Sequence, residues 1–175
     1  MKKKLYIVLT MLLIMMFATS TVFARGNIKL SNIQFSLGSL ISEGFARGLG
    51  NTDVTIVLDG SGIPAITCTN YGGNDVPGQS SPKISASGQQ TLFGDDPIRK
   101  NGKAPFLTET DDPETIPWDE AGCPNSNWTG NVDFIFWTDA TISVYDTATG
   151  ELLKTQSYTC DTTRYPASVT CTAVQ

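Results

Sequence analysis

The sequence has no histidine among its 175 residues. This absence excludes catalytic triads built on histidine, histidine general bases and histidine metal ligands. Cysteine is also scarce: the four present form no Cys-x-x-Cys pattern, which argues against a zinc or thiol redox site. Basic residues are few, with 12 Lys and Arg against 17 Asp and Glu. An acidic chain is poorly suited to bind nucleic acid or anionic membranes.

The longest apolar run of the chain, Leu5–Phe17, is too short to cross a membrane. It has 13 residues, whereas a spanning helix needs roughly 20. Lys2–Lys4 precede the run, and Val22-Phe23-Ala24 follows it with small residues at the positions that a signal peptidase reads. We therefore expect a secretory signal peptide over residues 1–24, cleaved at its end.

Cleavage at that point would leave residues 25–175 as one secreted β domain, located outside the cell or in the periplasm. The signal peptide holds three basic and no acidic residues, so the formal net charge changes from −5 to −8 in the mature chain. A chain of this length can bury a sizeable core. We expect no stable insertion into a membrane after cleavage.

The four cysteines are Cys68, Cys123, Cys160 and Cys171. An even number in an exported chain predicts two disulfides, and three pairings are possible. We favour Cys160–Cys171, because the segment between them contains a turn and would close a short hairpin. Cys68–Cys123 then follows by elimination and would tie a strand to the central part of the chain.

Apolar residues alternate with polar ones along most of the mature chain, as in half-buried strands. Glycines interrupt residues 37–49, which therefore predict a bent or bulged strand pair rather than a helix. The other expected features are strands at 33–37, 54–58, 65–69, 132–137, 142–144 and 152–160, an inward row of Val169, Cys171 and Ala173, and turns at Asp59–Gly62 and Thr147–Gly150.

The central stretch, about residues 70–131, is rich in proline, glycine and acidic residues. We expect a long irregular loop there with one or two short strands, one of them at Lys83–Phe93. The fold predicted overall is an all-β, antiparallel β-sandwich of immunoglobulin-like architecture, with seven to nine strands and two disulfides. A β-barrel is the alternative.

Several short motifs resemble a recurring module of secreted bacterial proteins of unassigned function. The motifs are Phe35-Ser-Leu-Gly-Ser-Leu, Gly48-Leu-Gly, Thr67-Cys-Thr-Asn-Tyr-Gly-Gly-Asn with Pro77-Gly-Gln, Cys123-Pro-Asn, Asn127-Trp-Thr and Thr163-Arg-Tyr-Pro. The resemblance covers most of the mature chain and implies a small secreted β domain. It implies no catalytic residue, ligand or partner.

Three aromatic residues are candidates for stacking against sugar rings: Trp118, Trp128 and Tyr145. The two tryptophans lie in loop-like sequence, and Tyr145 should point outward from its strand, opposite Val144. The alternative for Trp128 is packing over a disulfide. These residues make binding of a cell-surface or extracellular polysaccharide, without catalysis, our first hypothesis.

Loop carboxylates suggest two further possibilities. Asp95, Asp96, Asp111 and Asp112 are hard oxygen ligands that could hold Ca²⁺, although their spacing matches no EF-hand. Apart from this ion we expect no cofactor. Carboxylates of the same loops could also serve a small hydrolase, which would need two of them facing each other across a pocket.

The strand expected at Ile28–Leu37 begins almost directly after the signal peptide. A terminal strand of this kind either pairs within its own sheet or adds to the sheet of a neighbouring molecule. A structural component of an envelope, matrix or filament, which self-associates through an edge strand, is therefore our second hypothesis. The partners expected are thus a polysaccharide, an envelope component or a second copy of the chain.

Overall fold

The computed structural model describes residues 27–174, and the predicted signal peptide lies outside them. Within this range the chain is all-β, as predicted, and contains no helix. It has ten strands rather than the seven to nine expected. The strands are β1 (Lys29–Ser36), β2 (Ile41–Arg47), β3 (Val54–Asn70), β4 (Asp75–Pro77), β5 (Ile84–Leu92), β6 (Lys103–Glu109), β7 (Thr115–Ile116), β8 (Trp128–Asp146), β9 (Leu152–Arg164) and β10 (Ala167–Ala173).

The strands form two antiparallel sheets. The smaller sheet has the order β1-β2-β6. The larger sheet contains β10, β9, β8 and β3 in this order. Strands β4 and β5 both pair with β3 on its side away from β8, and β7 pairs with β8. β1 pairs with β2 inside its own sheet. Residues 37–49 hold the turn of this hairpin and the single strand β2, so the strand pair expected within that range is wrong.

Strands β3 and β8 are unusually long and form the spine of the molecule. They pair from Val54 with Asp146 to Asn70 with Trp128. The turn expected at Asp59–Gly62 is therefore wrong, because these residues lie inside β3. The same holds for the break expected between two strands at 132–137 and 142–144, which are one strand.

Gly60 explains why a glycine-rich sequence continues as a strand here. A Cβ atom at this position would lie 2.9 Å from Cζ3 of Trp137 and 2.8 Å from Cδ2 of Leu40. The glycine therefore makes room for large core side chains instead of turning the chain. Irregular pairing near Gly62 and again near Ile66 bends the spine, as bulges do.

The spine carries two cores, and Ile84 and Val132 pack against both of them. The larger core lies between the sheets and includes the predicted inward residues of β3, with Val54, Ile56 and Leu58 fully buried. The smaller core lies where the spine extends past the smaller sheet. It is made of Ile66, Cys68, Ile116, Ala121 and Cys123, with Val76, Ile84, Trp128 and Val132 packed against it.

Both disulfides have the pairing that the sequence favours. Cys160 and Cys171 face each other across the β9–β10 hairpin, with their Cα atoms 4.0 Å apart. Cys68 and Cys123 join β3 to the loop between β7 and β8. The second disulfide therefore belongs to the smaller core and holds this loop over the spine.

The central stretch is more ordered than the irregular loop expected over residues 70–131, because β4, β5, β6 and β7 all lie within it. The strand expected at Lys83–Phe93 is β5. β6 was missed, although Ala104, Phe106 and Thr108 alternate as buried residues along it. Its exposed face carries Pro105 and Leu107, so the sequence of β6 does not alternate between apolar and polar residues.

The two sheets approach each other closely where β5 meets the end of β6. Asp111 N donates to Ser87 O at 3.0 Å, and Leu107 N donates to Gln90 Oε1 at 2.9 Å. Gly88 lies at this contact, and a Cβ atom there would overlap the carbonyl oxygen of Glu109. Only glycine fits without moving the backbone.

We expect Gly88→Ala to lower the free energy of unfolding by about 1–3 kcal/mol, because an overlap with backbone atoms must be relieved by shifting β5 or β6. The matched control is Gly38→Ala, whose new methyl group would meet only Ile41 Cδ1 at an ordinary 3.8 Å. Urea denaturation followed by circular dichroism measures both. Equal stability of the two variants would contradict the prediction.

Candidate functional site

The three aromatic residues predicted to bind sugar do not form one surface. Trp128 begins β8 and Tyr145 is next to its last residue, so about 55 Å of extended strand separates them. Trp118 lies in the loop before Cys123 and is 39% exposed. Trp128 is half-buried against the smaller core, so it packs near the Cys68–Cys123 disulfide.

The carboxylates predicted to bind Ca²⁺ lie in two different loops. Asp95 and Asp96 follow β5, and Asp96 Oδ1 accepts a hydrogen bond from Ile98 N at 3.0 Å. Asp111 and Asp112 follow β6. Within residues 27–174 no group of three or more Asp, Glu, Cys or His side chains could hold a metal ion. Binding of Ca²⁺ by these residues stays a prediction.

The outward side of the larger sheet is lined by hydroxyl and carboxylate side chains, and we call it the hydroxyl face. Its residues lie on β10, β9, β8, β3 and β5, and they alternate with residues that point into the larger core. Strand pairing arranges them in rows across the sheet. Two neighbouring rows are Thr172, Thr159, Asp139, Ser61, Ser85 and Ser157, Thr141, Asp59, Ser87.

Hydroxyl groups of neighbouring strands on this face contact one another without exhausting their hydrogen-bonding capacity. The oxygens of Thr141 and Ser157 are 3.4 Å apart, and those of Ser143 and Thr155 are 3.3 Å apart. A hydroxyl can donate one hydrogen bond and accept two. The rows therefore keep donors and acceptors for a ligand above the sheet.

A shallow depression of about 410 Å³ lies within the hydroxyl face, lined by Asp59, Gly60, Ser61, Ser85, Ala86, Ser87, Asp139, Ala140 and Thr141. Its side chains are short, which explains why the surface dips there. Hydrogen bonds from Lys83 Nζ and Thr138 Oγ1, both of 2.8 Å, hold the pKa of Asp139 below its usual 3.8. Asp139 is therefore an ionised acceptor at neutral pH.

A second concave surface, which we call the acidic cleft, lies beside the segment of β8 from Val132 to Trp137. It has a volume of about 570 Å³ and is bounded by the β1–β2 turn, the connection from β6 to β7, and β8. No Lys or Arg is among its lining residues. Five of these residues are carboxylic acids: Glu109, Asp111, Asp112, Glu114 and Asp133. Its other wall is apolar and includes Val132, Ile135 and Trp137.

Asp112 is the carboxylate of the cleft with the most perturbed environment. Partial burial raises its pKa above the usual 3.8, and the nearby charges of Glu109 and Asp111 raise it further. Hydrogen bonds from Thr110 and Ser39 oppose this shift. Thr110 Oγ1 donates to Asp112 Oδ1 at 2.6 Å and also accepts from Leu40 N at 3.0 Å.

We expect Asp112→Asn to stabilise the protein at neutral pH and not at acidic pH. A carboxyl group whose pKa is raised on folding favours the folded state while it is protonated, and this contribution is lost as the pH rises through the folded-state pKa. The amide cannot ionise and still accepts from Thr110. Urea midpoints of both proteins at pH 3 and pH 7 test this, and a difference independent of pH would contradict it.

The sequence predictions do not include the hydroxyl face, since they rest on aromatic and acidic residues. A signal was present: Thr155, Ser157, Thr159, Asp161 and Thr163 recur at every second position of β9. Such spacing places hydroxyl side chains on one side of a strand. The acidic cleft was partly visible, since Glu109, Asp111, Asp112 and Glu114 are close in sequence.

No family model matches the chain, and neither a curated protein nor a solved structure matches it. The resemblance to a module of secreted bacterial proteins therefore stays a prediction. Two disulfides are compatible with a location outside the cell or in the periplasm. In the described part of the chain there is no helix of the length and hydrophobicity needed to cross a membrane.

Proposed function

We propose that the protein is a secreted, non-catalytic β-sandwich module that binds a cell-surface or extracellular polysaccharide. The observation that carries this proposal is the hydroxyl face, where rows of Ser, Thr and Asp cross five neighbouring strands. A polysaccharide is a periodic chain of hydroxyl groups that both donate and accept. A periodic array of hydroxyl and carboxylate side chains is its complement.

The depression at Asp59 and Asp139 is the centre of the proposed binding surface. An ionised carboxylate accepts stronger hydrogen bonds than a neutral group does, and Asp139 is held ionised by Lys83. Tyr145 lies on the same face and adds an aromatic ring beside Thr55. Of the three aromatic residues predicted from the sequence, it alone belongs to this surface in our proposal.

Most contacts available on this face are neutral hydrogen bonds, each worth about 0.5–1.5 kcal/mol. Single sugars should therefore bind weakly, and long chains should bind better because they occupy many positions at once. Salt should have little effect, since the sugar needs no charge. Both properties distinguish this mode of binding from simple attraction to an acidic protein.

The double variant Thr141→Val/Thr159→Val should bind polysaccharide about tenfold more weakly, since it removes two hydroxyls from adjacent rows and keeps the side-chain shape. Thr115→Val/Thr129→Val changes two exposed threonines elsewhere and should bind normally. Pull-down of the mature protein on a panel of insoluble polysaccharides measures both. Equal binding by both variants, or binding to no polysaccharide, would overturn the proposal.

A small hydrolase is the second candidate, and the raised pKa of Asp112 favours it. A carboxyl group whose pKa is raised by burial, with a second carboxyl group nearby, is the arrangement that acid-catalysed glycoside cleavage uses. Release of reducing ends from the same polysaccharides, lost in Asp112→Asn, would establish this activity. Binding without release, and unchanged in Asp112→Asn, supports the non-catalytic module.

A structural role in a matrix or filament makes a different prediction. Strand β1, the candidate for addition to a neighbour, pairs with β2, and its pairing is interrupted between Ser31 and Gln34, where Asn32 has a positive φ of 54°. Such an irregular edge is a poor template for another strand. Sedimentation at high concentration should therefore show monomers, and oligomers would favour the structural role.

A further inference from the structure

Strand β8 has an open edge on the side away from β3, and this edge runs along the acidic cleft. β7 pairs with β8 only at Gly130 and Asn131, and β9 pairs with it only from Asp139 onward. Between these points the described residues supply two hydrogen bonds: Glu114 O accepts from Val132 N at 2.9 Å, and Thr162 Oγ1 donates to Trp137 O at 2.9 Å.

Residues 133–136 consequently have no strand partner on this side in the described chain, while their other side pairs with β3. Four extended residues span about 13 Å. The cleft is lined by consecutive residues, from Val132 to Ile135, so it follows the edge of the strand and not only one face. An unpaired edge inside a cleft is the arrangement that peptides use when they add a strand to a sheet.

The charge around this edge indicates what kind of peptide fits. Five carboxylic acids line the cleft, and none of its lining residues is Lys or Arg. Successive side chains of an extended segment point to opposite sides, so apolar side chains would face the wall near Ile135 and basic ones the carboxylates opposite it. Arg164, the last residue of β9, is a basic side chain of the chain itself beside this edge: its guanidinium lies 5.9 Å from the ring centroid of Phe134.

We propose that β8 binds an extended peptide segment rich in lysine or arginine, which pairs with residues 133–136 as an added strand and places its basic side chains in the acidic cleft. Backbone hydrogen bonds hold the segment and the carboxylates select it. This site is separate from the hydroxyl face, so the proposal does not depend on the proposed polysaccharide binding.

The test uses a synthetic eight-residue peptide of alternating valine and lysine with the mature protein. Calorimetry should show binding that weakens at least tenfold between 50 and 300 mM NaCl. The same peptide with N-methyl groups on alternate residues keeps its charge and loses the strand hydrogen bonds. It should bind at least tenfold more weakly, whereas equal binding would overturn strand addition.

Two variants with equal loss of charge test the position of the site. Glu109→Gln/Asp111→Asn/Glu114→Gln removes three exposed carboxylates of the cleft, and peptide binding should fall at least tenfold. Asp95→Asn/Asp119→Asn/Glu120→Gln removes three exposed carboxylates of other loops and should leave binding unchanged. Equal loss in both variants would show attraction to overall charge and overturn the proposal.

Hydrogen exchange locates the peptide directly. Backbone amides of residues 133–136 that face the edge should exchange more slowly when the Val-Lys peptide is bound, while those of β10 should not change. Protection elsewhere, or none, would overturn the proposal. Two other results would also overturn it, because each would identify a different occupant of the edge. One is displacement of the peptide by a soluble amino-sugar oligomer at equal concentration. The other is protection of residues 133–136 that appears without peptide as the protein dimerises.

Discussion

Replacing Cys68 and Cys123 together with alanine is expected to lower the free energy of unfolding by about 4 kcal/mol. The two residues are 55 positions apart, and a cross-link restricts the unfolded chain more as the loop it closes becomes longer. The variant also loses two of the buried residues that make the smaller core. This core has few others, so we expect it to open before the larger core does.

The matched control is the pair Cys160→Ala/Cys171→Ala, whose cysteines are 11 positions apart. Chain entropy alone gives a loss of about 3 kcal/mol for a loop of this length. Urea denaturation gives the two free energies, and hydrogen exchange shows where each variant opens. If the Cys68/Cys123 variant opened uniformly over both cores, the division of the molecule into two cores would be wrong.

Much of the fold could be predicted because burial alternates strictly in several strands. Val54, Ile56 and Leu58 are buried where alternation places them, and the hairpin at Thr147–Gly150 is present, with Gly150 at a positive φ of 71°. These are local properties of the chain. They follow from the alternation of side chains between the two sides of a strand and from the conformational freedom of glycine at one turn.

The parts of the fold that could not be predicted depend on contacts between residues far apart in sequence. The glycines of Asp59–Gly62 suggested a turn, but Gly60 is required by the ring of Trp137, which lies 77 positions later. No local rule distinguishes these two uses of glycine. For the same reason the open edge of β8 was not predictable, because it depends on where β7 and β9 stop pairing.

The candidate sites show the same division between local and distant information. The sequence identified individual residues with suitable chemistry, such as Tyr145 and Asp112, but not which of them share a surface. Tyr145 belongs to the hydroxyl face while Trp128 packs on the smaller core. Strand register brings Thr159, Asp139 and Ser61 into one row, although they come from three separate parts of the chain.

Trp137→Ala is expected to lower the free energy of unfolding by about 3–5 kcal/mol, the usual cost of removing a large buried aromatic residue. Trp137 is only 2% exposed, and it packs on Gly60 in the larger core. Trp118→Ala is the matched control, since Trp118 is 39% exposed and its loss should cost less than about 1 kcal/mol. Urea denaturation followed by circular dichroism compares them, and similar losses would contradict the assignment of Trp137 to the core.

A second substitution tests the reason for Gly60. In the wild-type protein Gly60→Ala should cost about 1–3 kcal/mol, because its methyl group would lie 2.9 Å from Cζ3 of Trp137. In the Trp137→Ala background the ring is gone and only the flexible end of Leu40 remains in the way. The cost of Gly60→Ala should therefore fall, and the two substitutions together should destabilise the protein less than the sum of their separate effects. Additive effects would mean that Gly60 is required by the backbone and not by the tryptophan ring.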